Sequence, residues 1–520
     1  MKYFLLTLTV YILSIINIYC QDGIRLNTPD AFPSLTLFQN FNDTYLVDNC
    51  GNLVNVWPGV NDCDNHPKLL PNGNLLYIED NEIFERDWDN DIVLRTSHSQ
   101  SNLMLEYEII PMPNGNYLCL GRRIESLSFF ANLGYNLTLS DYVYDDTVVE
   151  IEPGTGNIVW EWRISDHIIQ ERNSNLVNFG DIEDNIELFN LDAISDFDWD
   201  HEESFMINGF DYNPELDQIA LSVRKVSEVA IIDHSTTTAE AKGHEGGRYG
   251  KGGDILYRWG NPQNYGQGTS ADRKLYFQHN PNWIEHGQYK GSIIMYNNGL
   301  NRPVTSFSDR FSSIEIISPD MNADGSYIKI DNIPFSPATP RFLIDGSRER
   351  ADFYSGYTSG AKVLPNGNIL VTVGQSLDLI EFDNSRNKVW EYTIPRESFI
   401  FRAVKYTRDY PAFEGREVRG NGTAESPSSS YDCSYFNVNT QDINNEASAT
   451  SIIQSIDEVR LTSQDTDFRY QLFNSSGQLV KSKSALSKTH TINTGDMISG
   501  MYVILIQKKT HSESIKVIIH

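Results

Sequence analysis

Pro71-Asn72-Gly73-Asn74, Pro113-Asn114-Gly115-Asn116 and Pro365-Asn366-Gly367-Asn368 are three copies of one tetrapeptide, and each joins two apolar, strand-like runs. Asn-Gly between alternating apolar residues is a strong short-range hairpin signal, because both turn positions of a two-residue turn favour positive φ. A second element recurs beside it, a β-run ending in tryptophan: Asn52-Leu53-Val54-Asn55-Val56-Trp57, Asn157-Ile158-Val159-Trp160-Glu161-Trp162 and Lys388-Val389-Trp390-Glu391-Tyr392. The first two turns are 42 residues apart, and the second and third are 252 apart, six times that interval. Short strands with Gly and aromatic signals repeating at ~40–50 residues predict radially arranged four-stranded sheets, a β-propeller. The stretch from about Thr44 to Arg416 has room for six blades with insertions. Helical periodicity is rare, and Trp162 to Arg172 is the one stretch that reads as a short helix.

The 520 residues include 27 Tyr, 25 Phe and 8 Trp, ample for a packed core, so wholesale disorder is excluded. With 41 Lys plus Arg against 70 Asp plus Glu, the net charge of −29 opposes a nucleic-acid or anionic-membrane role. An anionic small substrate stays compatible, because a few Arg or His residues reverse the potential locally. Residues 1–20 read as a signal peptide, with Lys2 before the apolar run Tyr3 to Ile18 and cleavage near Tyr19-Cys20-Gln21. The run is shorter than a membrane span, and no later stretch qualifies. In an oxidising compartment Cys50 and Cys63 are close enough to bond, whereas Cys119, within Tyr117-Leu118-Cys119-Leu120, reads as a buried thiol. No Cys/His cluster suggests structural zinc.

The remaining organisation is a body over 21–417, a Gly/Asn/Ser/Glu-rich linker over 418–450 and a small β-sandwich-like module over 451–520. In that module Leu472-Phe473-Asn474-Ser475-Ser476-Gly477-Gln478-Leu479-Val480 and Ser499-Gly500-Met501-Tyr502-Val503-Ile504, with a basic end at Lys516, resemble the C-terminal sorting domain of type IX secretion cargo. The resemblance implies a secreted or cell-surface protein, exported through the periplasm, with the secretion machinery as a partner.

The chemistry-bearing residues crowd between Asp198 and Trp283. They include Ser222-Val223-Arg224, Asp233-His234-Ser235-Thr236, Gly243-His244-Glu245-Gly246-Gly247, Gly253-Asp254-Ile255-Leu256-Tyr257-Arg258-Trp259-Gly260-Asn261-Pro262 and Gln278-His279-Asn280-Pro281-Asn282-Trp283. Asn297-Asn298-Gly299, Phe401-Arg402-Ala403 and Tyr410-Pro411-Ala412-Phe413-Glu414-Gly415-Arg416 continue the series. In this order the motifs resemble the PAPS-independent arylsulfotransferases, all-β six-bladed propellers with the site in the central funnel. The resemblance implies transfer of a sulfuryl group from an aryl sulfate to a phenol through a sulfo-histidine, with no diffusible cofactor and no metal.

By that resemblance His279 is the nucleophile, and Arg224 and Asn208 face the sulfuryl oxygens. The chemistry agrees: imidazole is neutral at pH 7 and can leave again, and a fixed guanidinium and amide offset charge on the transferred group. The plainer reading is that His279 caps a strand and Arg224 pairs with a surface carboxylate. Two positions depart from the family: Tyr107 and Met206 stand where histidines serve as general acid/base and sulfate-binding partners. Methionine does neither, and tyrosine is a poor base at its ordinary pKa of ~10. The rival expectation is therefore a catalytically impaired propeller that binds sulfated or phenolic ligands. His201, His167 and His244 are unmatched and are candidates to lean into the funnel. Asp320-Met321-Asn322-Ala323-Asp324-Gly325 with Asp331 has calcium-loop spacing, but its strand-like flanks favour a hairpin turn.

Overall fold

The computed structural model describes residues 22–416 except 41, 61–65, 136–140, 195–203, 307–308, 347–352 and 396–398. It also describes positions 418, 420 and 422–423 and most of 451–519. The expected signal peptide, nearly all of the linker, Cys63 and His201 lie outside the described residues.

The proline-containing turns form hairpins, but not of the two-residue kind expected. In the first, Gly73 N–H donates to Leu70 O (2.9 Å) and Leu70 N–H to Asn74 O (2.8 Å). Only Gly73, Gly115 and Gly367, at φ 91°, 90° and 87°, take the left-handed conformation. The proline ring fixes its own φ negative, so the chain makes an ordinary turn and then a glycine bulge. Asn74, Asn116 and Asn368 each donate from the turn to a glutamate on the third strand of the same sheet, Glu85, Glu150 and Glu381 respectively. The sequence repeat is thus a repeat of hydrogen bonding.

Among the described residues the body contains six antiparallel sheets of four or five strands. Sheet one joins Ser34–Asn40, Asp43–Asp48 and Leu53–Pro58 to an inner strand from the far end of the body, Ala403–Thr407. Sheets two to six follow in sequence, with inner strands Lys68–Leu69, Leu103–Pro111, Ile207–Asn213, His279–Trp283 and Gly360–Val363. Gly23–Asn27 adds a fifth strand to sheet six, so the body begins before Thr44. Separate apolar clusters fill the space between each sheet and the next, and one of them joins Leu379 and Trp390 of sheet six to Phe38 and Val47 of sheet one. The tryptophans on the fourth strand of sheets one, three and six reach across these spaces: Trp57 Nε1 donates to Asp87 O (2.7 Å), Trp162 Nε1 to Gly253 O (2.8 Å) and Trp390 Nε1 to Asn49 O (2.9 Å). The fold is an all-β propeller.

The expected helix at Trp162 to Arg172 does not form. Ile158–Arg163 is the outer strand of sheet three, followed by a single 3-10 turn, Ile164–His167, and a two-residue strand, Ile168–Ile169. Trp160 and Trp162 are buried with period two, and β-branched Ile164, Ile168 and Ile169 mimic helical spacing only by coincidence. Cys50 is disulfide-bonded, and Cys119 is a buried free thiol whose pKa burial raises. The Asp320 string is a hairpin turn in which Asp324 Oδ1 accepts from both Ser326 N–H and Ser326 Oγ. At the C-terminus two sheets, of three and four strands, enclose a core containing Leu461, Ile492, Leu472 and Ile504.

Candidate active site

Three inner strands lose register where the residues of interest stand. The ladder slips over Glu106–Glu108, at Asn208–Gly209 and at Asn280–Pro281. Tyr107, Met206, Phe277 and Asn280 take positive φ of 61°, 57°, 58° and 57°. A bulge re-aims a side chain, and left-handed backbone in a bulky residue costs ~1–3 kcal/mol, so surrounding bonds must hold it. They do: Asp146 accepts from Met206 N–H (2.9 Å) and Ile207 N–H (3.1 Å). Phe277 N–H donates to Ser227 Oγ (3.1 Å), and buried Gln278 Nε2 donates to Glu228 O (2.8 Å). The strand carrying His279 is therefore pinned to the turn carrying Arg224.

The hydrogen bonding of Asn298 sets the tautomer of His279. Asn298 Nδ2 donates to Ser355 O (2.8 Å) and Thr358 O (2.9 Å), so its Oδ1 is the atom facing His279 Nδ1 at 2.7 Å. An amide oxygen only accepts; Nδ1 therefore carries the proton and Nε2 the lone pair. Burial, then the Arg224 guanidinium, lower the pKa of His279 to about 3 against the opposing bond to Asn298. The ring is neutral throughout the physiological range.

The predicted residues gather around this ring. The ring of Phe401 stacks on Tyr107 (5.3 Å between centroids) and meets His279 edge-on (6.4 Å). Arg224 lies over the Phe277 ring (4.8 Å), with Nη1 3.2 Å from Met206 Sδ. Asn208 Nδ2 is engaged by Gln278 O (2.9 Å), which leaves one amide hydrogen for a ligand. Tyr107 Oη accepts from Arg122 Nη2 (2.6 Å), and the same guanidinium pairs with Glu106 (3.1 Å). His167 and His244 do not join the group; both face Asp254 instead.

Sequence reasoning gave no role to Arg122, Asn298 or the buried Glu108–Arg402 ion pair. Burial works against ionisation of Glu108, but Arg402 and Lys68 prevail and bring its pKa to about 2. Gly209 sits where any Cβ would lie 2.5 Å from Arg402 Nη2, so its lack of a side chain admits the guanidinium. Arg402 also borders a cavity of about 660 Å³ formed with His66, Lys68, Asp211 and Lys362. Burial raises Asp211 to about 6 and lowers His66 well below its usual value.

A family model for arylsulfotransferase (ASST) matches residues 25–406. The chain belongs to the arylsulfotransferase family. A model for a secretion system C-terminal sorting domain matches residues 453–520, which marks this arylsulfotransferase-family protein as type IX cargo exported to the cell surface or beyond. No helix among the described residues is long and apolar enough to cross a membrane. No curated protein matches the chain. Among solved structures it is similar to a protein of unknown function from Bacteroides caccae, at 9% identity and TM-score 0.38 over 72% of this chain and 98% of that one. It is also similar to virginiamycin B lyase from Staphylococcus aureus, at 10% and 0.31 over 73% and 90%. The Myceliophteria thermophila Cps50 β-propeller domain matches at 11% and 0.34 over 72% and 87%.

Proposed function

We propose that this exported protein transfers a sulfuryl group from an aryl sulfate to a phenolic acceptor, with His279 as the covalent carrier. The observation that carries the reading is the bond from His279 Nδ1–H to Asn298 Oδ1, which leaves the Nε2 lone pair for attack. In the first half-reaction Nε2 bonds to sulfur as the sulfur–oxygen ester bond breaks and the aryl oxide leaves. The imidazolium charge that develops is shared with Asn298 through Nδ1–H, while Arg224 and the remaining amide hydrogen of Asn208 face the sulfuryl oxygens. A weakly basic imidazole is also a good leaving group, so the second half-reaction, attack of a phenol oxygen on sulfur, regenerates the neutral ring.

The second half-reaction needs the acceptor's proton removed, and here the chain departs from its family. Met206 offers no base, and the Tyr107 hydroxyl is occupied by Arg122. That favours, as a second reading, a propeller that binds sulfated or phenolic ligands with little turnover. Incubation of the purified protein with 4-nitrophenyl sulfate, with and without phenol, separates the two. Transfer predicts nitrophenol release that phenol sustains and His279→Ala abolishes; ligand protection against thermal unfolding without release supports the binding reading.

A further inference from the structure

His167, His244 and Asp254 take no part in the channel site. They meet where the turn after the outer strand of sheet three lies beside the loop before the outer strand of sheet four. His167 Nδ1 is 2.7 Å from Asp254 Oδ1, and His244 Nδ1 is 2.8 Å from the same oxygen and 3.1 Å from Oδ2. The three donor groups fall within 4.8 Å of one another. We propose that they bind one divalent transition-metal ion of the zinc class, which ties sheets three and four together and keeps a water as its fourth ligand.

The surroundings prepare these atoms for a cation. His167 Nε2 lies 2.8 Å from the Ala241 carbonyl, which only accepts, so Nε2 carries a hydrogen and Nδ1, the nitrogen turned toward Asp254, is the ring atom placed to bond a metal ion. A ligand imidazole whose second nitrogen is held by a carbonyl is the usual outer-shell arrangement of a metal site. The ring is fixed further by stacking on Trp162, at 5.5 Å and 2° between planes, and Trp162 in turn donates to Gly253 O. A Cβ at Gly253 would lie 2.0 Å from Ala241 O and 2.6 Å from His167 Nε2, so glycine here allows the loop to bring Asp254 against His167.

The donor set also selects the ion. Two imidazoles and one carboxylate suit zinc-class metals rather than calcium or magnesium. Zinc bonds to nitrogen and oxygen of ~2.0–2.2 Å in a tetrahedron place donor atoms roughly 3.3 Å apart. His167 is fully buried, but the His244 side chain is 60% exposed. An outward swing of His244 opens its own 2.8 Å pair with Asp254 to that size and admits water. The 2.7 Å His167–Asp254 pair has to open by a similar few tenths of an ångström as the Asp254 carboxylate turns onto the ion.

The test is titration of chelator-treated full-length protein with zinc by calorimetry and with cobalt by visible absorption. The site predicts one equivalent per chain, four-coordinate cobalt bands and a higher Tm with metal. His244→Ala, at an exposed position, and Asp254→Asn should each weaken zinc at least tenfold, with far-UV dichroism of the metal-free variants confirming that both are folded. Absence of saturable binding, or binding that survives either substitution unchanged, would mean that the cluster is a set of hydrogen bonds only and would overturn the proposal.

Discussion

The pKa of His279 offers a test in which the reaction and the fold must agree. Burial and Arg224 bring it to about 3, although Asn298 favours the charged ring. At pH 5 an ordinary imidazole of pKa ~6.5 is about 3% neutral, whereas one at about 3 is about 99% neutral, a difference of roughly thirtyfold in competent nucleophile. On the proposed mechanism, the burst of nitrophenol that accompanies sulfation of His279 should therefore have a rate nearly flat from pH 8 to pH 4 and fall only below that. The same shift acts on stability. The unfolded state takes up a proton near pH 6.5 that the folded state refuses until about pH 3, so stability is intact above 6.5 and is lost as pH falls through this window. The slope from this one group is about 1.4 kcal/mol per pH unit, and His279→Gln should remove it from urea-unfolding data. A burst rate that falls tenfold per pH unit directly below 6.5 would refute the reasoning, because the ring would then be titrating as if exposed.

Restoring Tyr107→His and Met206→His together should raise steady-state turnover with phenol more than either change alone, because each returns a base or a donor to the acceptor side; steady-state kinetics of the four proteins decides it. In buried His234, burial is outweighed by bonds to Asp217 Oδ1 (2.7 Å) and Glu150 Oε2 (3.1 Å), and its pKa is held at about 9. That contribution is complete below pH 6.5 and is lost as pH rises through 9, so Tm should fall over this range in wild type and less in His234→Gln. Gly209→Ala forces a methyl against Arg402 and should cost ~1–3 kcal/mol in urea unfolding.

Local chemistry explains what the sequence made legible. Each Pro-Asn-Gly-Asn turn forms a hairpin, and a tryptophan near the end of a β-run marks the fourth strand of a sheet, so the propeller repeat was readable from a few residues. The turn type is not legible from Asn-Gly alone, because the proline before it has no N–H to close a two-residue hairpin and its fixed φ suits the first central position of an ordinary turn. The false helix arose where alternating tryptophans and isoleucines matched two periodicities at once. At the site, the approach of Arg224 to His279 was legible from motif context. The role of Asn298 was not, because it depends on Ser355 O and Thr358 O, carbonyls 57 and 60 residues away. His167 and Asp254 are 87 residues apart, and only the outer rims of two sheets bring them together.

The most direct measurement is mass spectrometry of the protein quenched in alkali after mixing with 4-nitrophenyl sulfate and no acceptor. The account predicts one added SO₃ per chain, located on the peptide containing His279, absent in His279→Ala and discharged on addition of phenol. Nitrophenol release with the added mass on another residue, or with no covalent adduct under any quench, would contradict it.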